Sequence, residues 1–72
     1  MDAPKFEITR QVACLSTERN GWAKELKIVS WNGREPKYDI RSWSPDHQKM
    51  GKGVTLSAEE LDALRAALDS LA

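Results

Sequence analysis

Val54-Thr55-Leu56-Ser57-Ala58-Glu59-Glu60-Leu61-Asp62-Ala63-Leu64 is where the pattern of the chain changes from strand to helix. Ser57 and Glu60 have the spacing of a capping box, in which each side chain satisfies a backbone N–H of the other. Leu56 and Leu61 occupy the staple positions on either side of that cap. Glu59, Glu60 and Asp62 place negative charge at the helix N-terminus, where the backbone dipole favours it. Leu61, Leu64, Leu68 and Leu71 then recur at three- and four-residue spacing, so the segment predicts a helix with one apolar stripe. Ala63, Ala66 and Ala67 widen that stripe. It must pack on a sheet, on a second copy of the chain, or on both.

Upstream the period is two. Phe6, Ile8, Val12 and Cys14 share a parity that Arg10 breaks, which predicts a first half-buried strand. Asn20-Gly21 is a hairpin signal, because both residues tolerate positive φ. A second strand is expected from about Trp22 to Trp31. Its even positions give Leu26 and Ile28 to a core, and its odd positions give Glu25, Lys27, Val29 and Trp31 to the other face. Asn32-Gly33-Arg34-Glu35 is the next turn, and Pro36 can open a third strand but not sit in its middle. There Tyr38 and Ile40 face one way, and Lys37, Asp39, Arg41 and Trp43 the other. Pro45 favours a loop at Ser44–His47. A short fourth strand follows at about Lys49 to Leu56, with Gly51 and Gly53 marking a bulge or a close approach. The sum is an α+β domain: a four-stranded antiparallel sheet followed by one C-terminal helix. One domain is expected over residues 1–72, with the helix on one sheet face and the other face left open.

Composition removes several classes. A chain of 72 residues buries only about 60% of its unfolded surface, so it commonly needs a staple. Cys14 is the only cysteine and His47 the only histidine. A disulfide or a zinc site is therefore not expected, and association with a second copy is. No apolar run approaches the roughly 20 residues that span a bilayer. Met1–Pro4 shows no basic stretch leading into an apolar one, so a secretory leader is not expected. Cysteine usage fits a reducing, cytoplasmic setting. The net charge is zero, yet residues 21–56 sum to +3 and residues 57–72 to −3.

The basic middle is interleaved with aromatics. Lys27 and Trp31 on strand two share a face with Lys37, Arg41 and Trp43 on strand three. Single-stranded nucleic acid needs this combination, because cations follow the phosphates while flat rings receive unpaired bases. The competing reading has Trp31 and Trp43 packing on each other or filling a dimer contact. Trp22, with Lys24 beside it, is a further stacking platform or a core residue on the parity of Leu26. Lys49 and Lys52 form a basic rim for phosphates or an ordinary turn. Gly53 follows Lys52 where a P-loop needs Ser or Thr. No catalytic constellation emerges: Asp46-His47 has no nearby nucleophile, and Asp39 reads as orienting a cation. No enzyme activity and no cofactor are expected.

Gly21-Trp22-Ala23-Lys24-Glu25-Leu26, Ser30-Trp31-Asn32, the run from Glu35 to His47 and Lys49-Met50-Gly51-Lys52-Gly53-Val54-Thr55-Leu56-Ser57 resemble the small bacterial YdbC proteins. These belong with the C-terminal domain of the transcriptional coactivator positive cofactor four. The resemblance covers about residues 5–71. It implies a homodimer of curved four-stranded sheets, with the helix stripe Leu61, Leu64, Leu68 and Leu71 helping to build the dimer contact. It also implies binding of single-stranded DNA with little sequence preference across the open sheet faces. Carried over by position, Arg41 and Lys52 match basic residues of that surface. Trp43 matches one of its aromatics, and Trp31 lies near another. Where the eukaryotic pattern has two aromatics in a row, this chain has Trp43-Ser44. The nucleic-acid surface expected from residues and resemblance together is Trp22, Lys24, Lys27, Trp31, Lys37, Arg41, Trp43, Lys49 and Lys52. Single-stranded RNA on the same surface, or a protein partner docking on the tryptophan face, is the alternative, and a membrane partner is not expected.

Overall fold

Strand β1 runs over Phe6–Thr17, β2 over Ala23–Trp31, β3 over Lys37–Trp43 and β4 over Met50–Leu56, and helix α1 covers Ala58–Ser70. These bounds come from a computed structural model that describes residues 5–71. The strands form one antiparallel meander in the order β1-β2-β3-β4. No helix among the described residues is long and apolar enough to cross a membrane.

Local chemistry accounts for each turn. Gly21 has φ +90° and closes the first hairpin by donating its N–H to the Glu18 carbonyl at 2.9 Å. Asn32 and Gly33 both have positive φ, the geometry that two-residue hairpins demand. In the third turn Asp46 accepts from the Ser44 hydroxyl at 2.7 Å and from the Gln48 N–H at 3.0 Å. These two bonds hold the Asp46 carboxyl below its usual value. The helix begins as its sequence predicts. Ser57 Oγ accepts from the Glu60 N–H at 3.1 Å, and Glu60 Oε1 accepts from the Ser57 N–H at 2.8 Å. The Ser57 N–H, then its hydroxyl, hold the Glu60 carboxyl below its usual range.

The two sheet faces are the reverse of the expectation. The face carrying Leu26, Ile28 and Ile40 with the helix stripe is the open one. No helix residue is buried, and Leu68 is 56% exposed. Between stripe and sheet lies an open groove of about 520 Å³, lined by Val12, Leu15, Leu26, Ile28, Ile40 and Leu64 among others. The opposite face, expected to lie bare, holds the buried residues: Val29, Trp43, Glu25, Lys27 and Asp39.

The cause is β1. Its register against β2 slips between Ile8 and Arg10, between Gln11 and Ala13, and between Cys14 and Ser16. Each slip leaves an extra residue (Thr9, Val12 and Leu15 in turn), bends the strand and raises its twist. Strict alternation is therefore lost. Phe6 and Ile8 pair with Trp31 and Val29 on one face, whereas Val12 and Leu15 reach the groove on the other. The single shared parity predicted for Phe6, Ile8, Val12 and Cys14 is thus corrected to a strand that changes face along its length.

On the far edge Gly53 is required by its neighbour. A Cβ there would collide with the Ile40 carbonyl and lie 2.7 Å from Arg41 Cβ. Gly53→Ala is expected to destabilise the chain by about 1–3 kcal/mol, the usual cost of overpacking. Urea unfolding of the two proteins measures it, and equal midpoints would mean that β4 does not press so closely on β3.

Candidate nucleic-acid interface

The buried face is built on β2 and β3, whose register sets Glu25 opposite Arg41 and Lys27 opposite Asp39. Charge therefore alternates both along and across the strands. Within β2, Lys27 Nζ donates to Glu25 Oε1 at 2.9 Å, with both side chains under 10% exposed. Within β3, Arg41 Nε and Nη2 donate to the two oxygens of Asp39, both at 3.1 Å. Asp39 is 0% exposed and also accepts from Thr55 Oγ1 at 3.0 Å. Arg41 Nη1 donates to the Gly51 carbonyl at 3.0 Å, which ties β3 to the start of β4. Asp39 thus orients a cation.

His47 closes the set from the third turn. Its Nε2 lies 3.1 Å from Glu25 Oε2, and its ring centroid is 6.1 Å from that of Trp43. His47 sits at φ +60°, a conformation costly for a residue with a side chain. Burial pushes the Glu25 carboxyl up, but the bonds from Lys27 and His47 and their charges outweigh it and hold the group below its usual value.

Cations and rings are interleaved here, as the sequence predicts, but in closed contacts. Lys27 Nζ lies 4.9 Å from the Trp43 ring centre and Arg41 Cζ 5.3 Å from that of Trp31. The expectation that Lys27 and Trp43 lie open is corrected: they are 4% and 1% exposed. The physical reason is the bent β1, which brings Phe6 to 5.6 Å from Trp43 and 5.8 Å from Trp31. Trp31 and Arg41 remain half-buried. The indole nitrogens of Trp31 and Trp43 are buried without a hydrogen-bond partner among the described residues.

The other expected residues lie around this centre. Lys37, Lys49 and Lys52 are exposed and make no ion pair among the described residues. Lys37 opens β3, while Lys49 and Lys52 lie at the opposite end of that strand, where β4 carries an extra residue between Met50 and Gly53. Lys24 is exposed too, but it pairs with Ser42 on the parity of Leu26 and Ile40, away from Trp31 and Trp43. Trp22 is half-buried, and a Cβ added at position 51 would lie 3.7 Å from its ring. The structure therefore brings together Lys27, Trp31, Arg41 and Trp43, places Lys37 at one end of β3 and Lys49 and Lys52 at the other, and leaves Trp22 and Lys24 apart. Phe6 is the aromatic that sequence reasoning placed elsewhere; the break in alternation at Arg10 was the sign that β1 changes face. No group of three or more metal-ligating side chains occurs among the described residues.

The family model described as Transcriptional Coactivator p15 (PC4) matches residues 19–67, from the first hairpin turn through most of the helix. The chain belongs to that family. This PC4 domain is of a nucleic-acid-binding, coactivator type. A relative from Treponema pallidum (strain Nichols), described as "Uncharacterized protein", is 61% identical over 66 residues, which is 92% of this chain and 78% of the relative.

The buried charge set gives the PC4 domain a defined acid response. The Glu25 carboxyl is depressed in the folded chain, so its stabilisation is full above the ordinary glutamate value of about 4.3. It is lost as pH falls through the lower folded value. Glu25→Gln also removes the carboxylate in direct contact with buried Lys27, a loss of about 3–5 kcal/mol at neutral pH. Urea unfolding at a series of pH values is expected to show the gap between wild type and variant narrowing below about pH 4. A gap of constant size down to pH 3 would mean that the charge on Glu25 does not carry the difference.

Proposed function

We propose that this chain is a single-stranded-DNA-binding protein of the cytoplasm, with little sequence preference and no catalytic activity, acting as a homodimer in transcription, replication or repair. The observation that carries the reading is the division of labour on the curved face. The centre is rigid, aromatic and charge-compensated, while uncommitted lysines stand on its rim. Rings can receive unpaired bases, and Lys37, Lys49 and Lys52 can follow phosphates without breaking an internal ion pair. A duplex keeps its bases stacked, and nothing on a curved sheet of this size enters its major groove as a helix would. Membership of the PC4 family supports the same reading.

Salt separates the rim from the centre. Each phosphate contact on a single strand contributes roughly 0.7 to the log–log salt slope. Lys49→Ala with Lys52→Ala is expected to flatten the slope by roughly 1.4. Lys27, already paired with Glu25, contributes little. Labelled oligothymidine should be displaced by unlabelled single strands and not by an equal mass of duplex. Equal displacement by both would reduce the interaction to charge attraction, and a peptide-binding surface would respond to neither.

The dimer reading rests on the groove. Leu64, Leu68 and Leu71 are exposed beside half-buried Leu26, Ile28 and Ile40, an apolar face that a second copy would cover. Leu64→Asp would set a charge into that contact and is expected to abolish the dimer or the fold. Sedimentation equilibrium at micromolar concentration checks it. A stable wild-type monomer would remove the dimer while leaving the DNA surface, on the opposite face, intact.

A further inference from the structure

A base can stack only on a ring that it can reach. Trp43 is 1% exposed, so its faces are already occupied. Phe6 is 38% exposed and lies against both Trp43 and Trp31, tilted by 53° and 47° to their planes. Of the three rings in this cluster, Phe6 is the one with most of its surface towards solvent. It stands on the face opposite the leucine groove, so a second copy seated on that groove leaves it free.

Phe6 is also held in place. The preceding residue is clamped to the second turn by two hydrogen bonds. The Lys5 N–H donates to Asn32 Oδ1 at 3.1 Å, and the Asn32 N–H donates to the Lys5 carbonyl at 2.7 Å. Asn32 adopts φ +53° to make this turn. With its underside on two indoles and its backbone tied down, the Phe6 ring loses little freedom when a planar ligand settles on it. Beside it is a shallow hollow of about 200 Å³ bordered by Lys5, Glu7, Ser30 and Gly33. Lys5 is exposed, one residue from the ring.

We infer that Phe6 is the base-stacking platform of the single-strand site, with Trp43 as its buried support and Lys5 beside it for the neighbouring phosphate. The inference rests on the single-strand reading and gives it a residue that lies outside the span matched by the family model. Trp43 then acts on binding only by holding Phe6.

The test is affinity for a labelled oligothymidine, at several salt concentrations, for wild type, Phe6→Leu, Phe6→Trp and Lys5→Ala. Phe6→Leu should weaken binding on the order of ten-fold or more with the salt slope unchanged. Phe6→Trp should restore it, and Lys5→Ala should flatten the slope by roughly 0.7. A second measurement needs no variant: in the NMR spectrum of the wild-type protein, saturation with oligothymidine should move the Phe6 ring resonances more than those of Trp43. Phe6→Leu binding as tightly as wild type, or unmoved Phe6 resonances in a saturated wild type, would overturn the platform and leave the single-strand reading standing. Failure of the wild type to bind oligothymidine would overturn both.

Discussion

The rest of the molecule depends on the alternation of charge across β2 and β3. Glu25, Lys27, Asp39 and Arg41 stand at the corners of a small square in which every neighbour has the opposite sign. Any one of them buried alone would carry a desolvation cost of several kcal/mol. Together they cancel, and the remaining polar atoms are drawn into bonds with Thr55, Gly51 and His47. A two-residue slip between β2 and β3, which keeps every side chain on its face, would set Lys27 opposite Arg41 or Glu25 opposite Asp39. Hydrophobic burial gives β2 and β3 reason to pair; the square fixes how they pair.

This interior is polar, and that explains an otherwise odd division of surfaces. A chain of this size would normally pack its leucines inward. Here the leucine stripe and the aliphatic side of the sheet remain open, while ions and indoles are enclosed by the bend of β1. The charged face is completed within one chain, and the apolar face is left available for association.

The helix, its cap, the order of the four strands and all three turns are legible in the residues, because each rests on short-range chemistry. Ser57 and Glu60 are three apart, and Asn32-Gly33 is a dipeptide. Which face closes is not legible in the same way. It follows from three bulges in β1, and only the break at Arg10 hints at them. Parity correctly places Lys27, Trp31, Arg41 and Trp43 together, since β2 and β3 pair without a slip. It cannot say that Phe6 would cross to cover them, because that contact spans strands whose register is set by the bulges themselves.

The first and third turns lie at the same end of the meander, and Gly21 meets the ring of Pro45 there. A Cβ at position 21 would lie 2.7 Å from Pro45 Cγ. The two positions, 24 residues apart in sequence, therefore constrain each other's evolution. A lineage that replaces Gly21 must first give up the ring at position 45 and also find a residue that tolerates φ +90°. Replacement of Gly21 is thus conditional on position 45: while the proline ring is in place, any side chain at position 21 meets it.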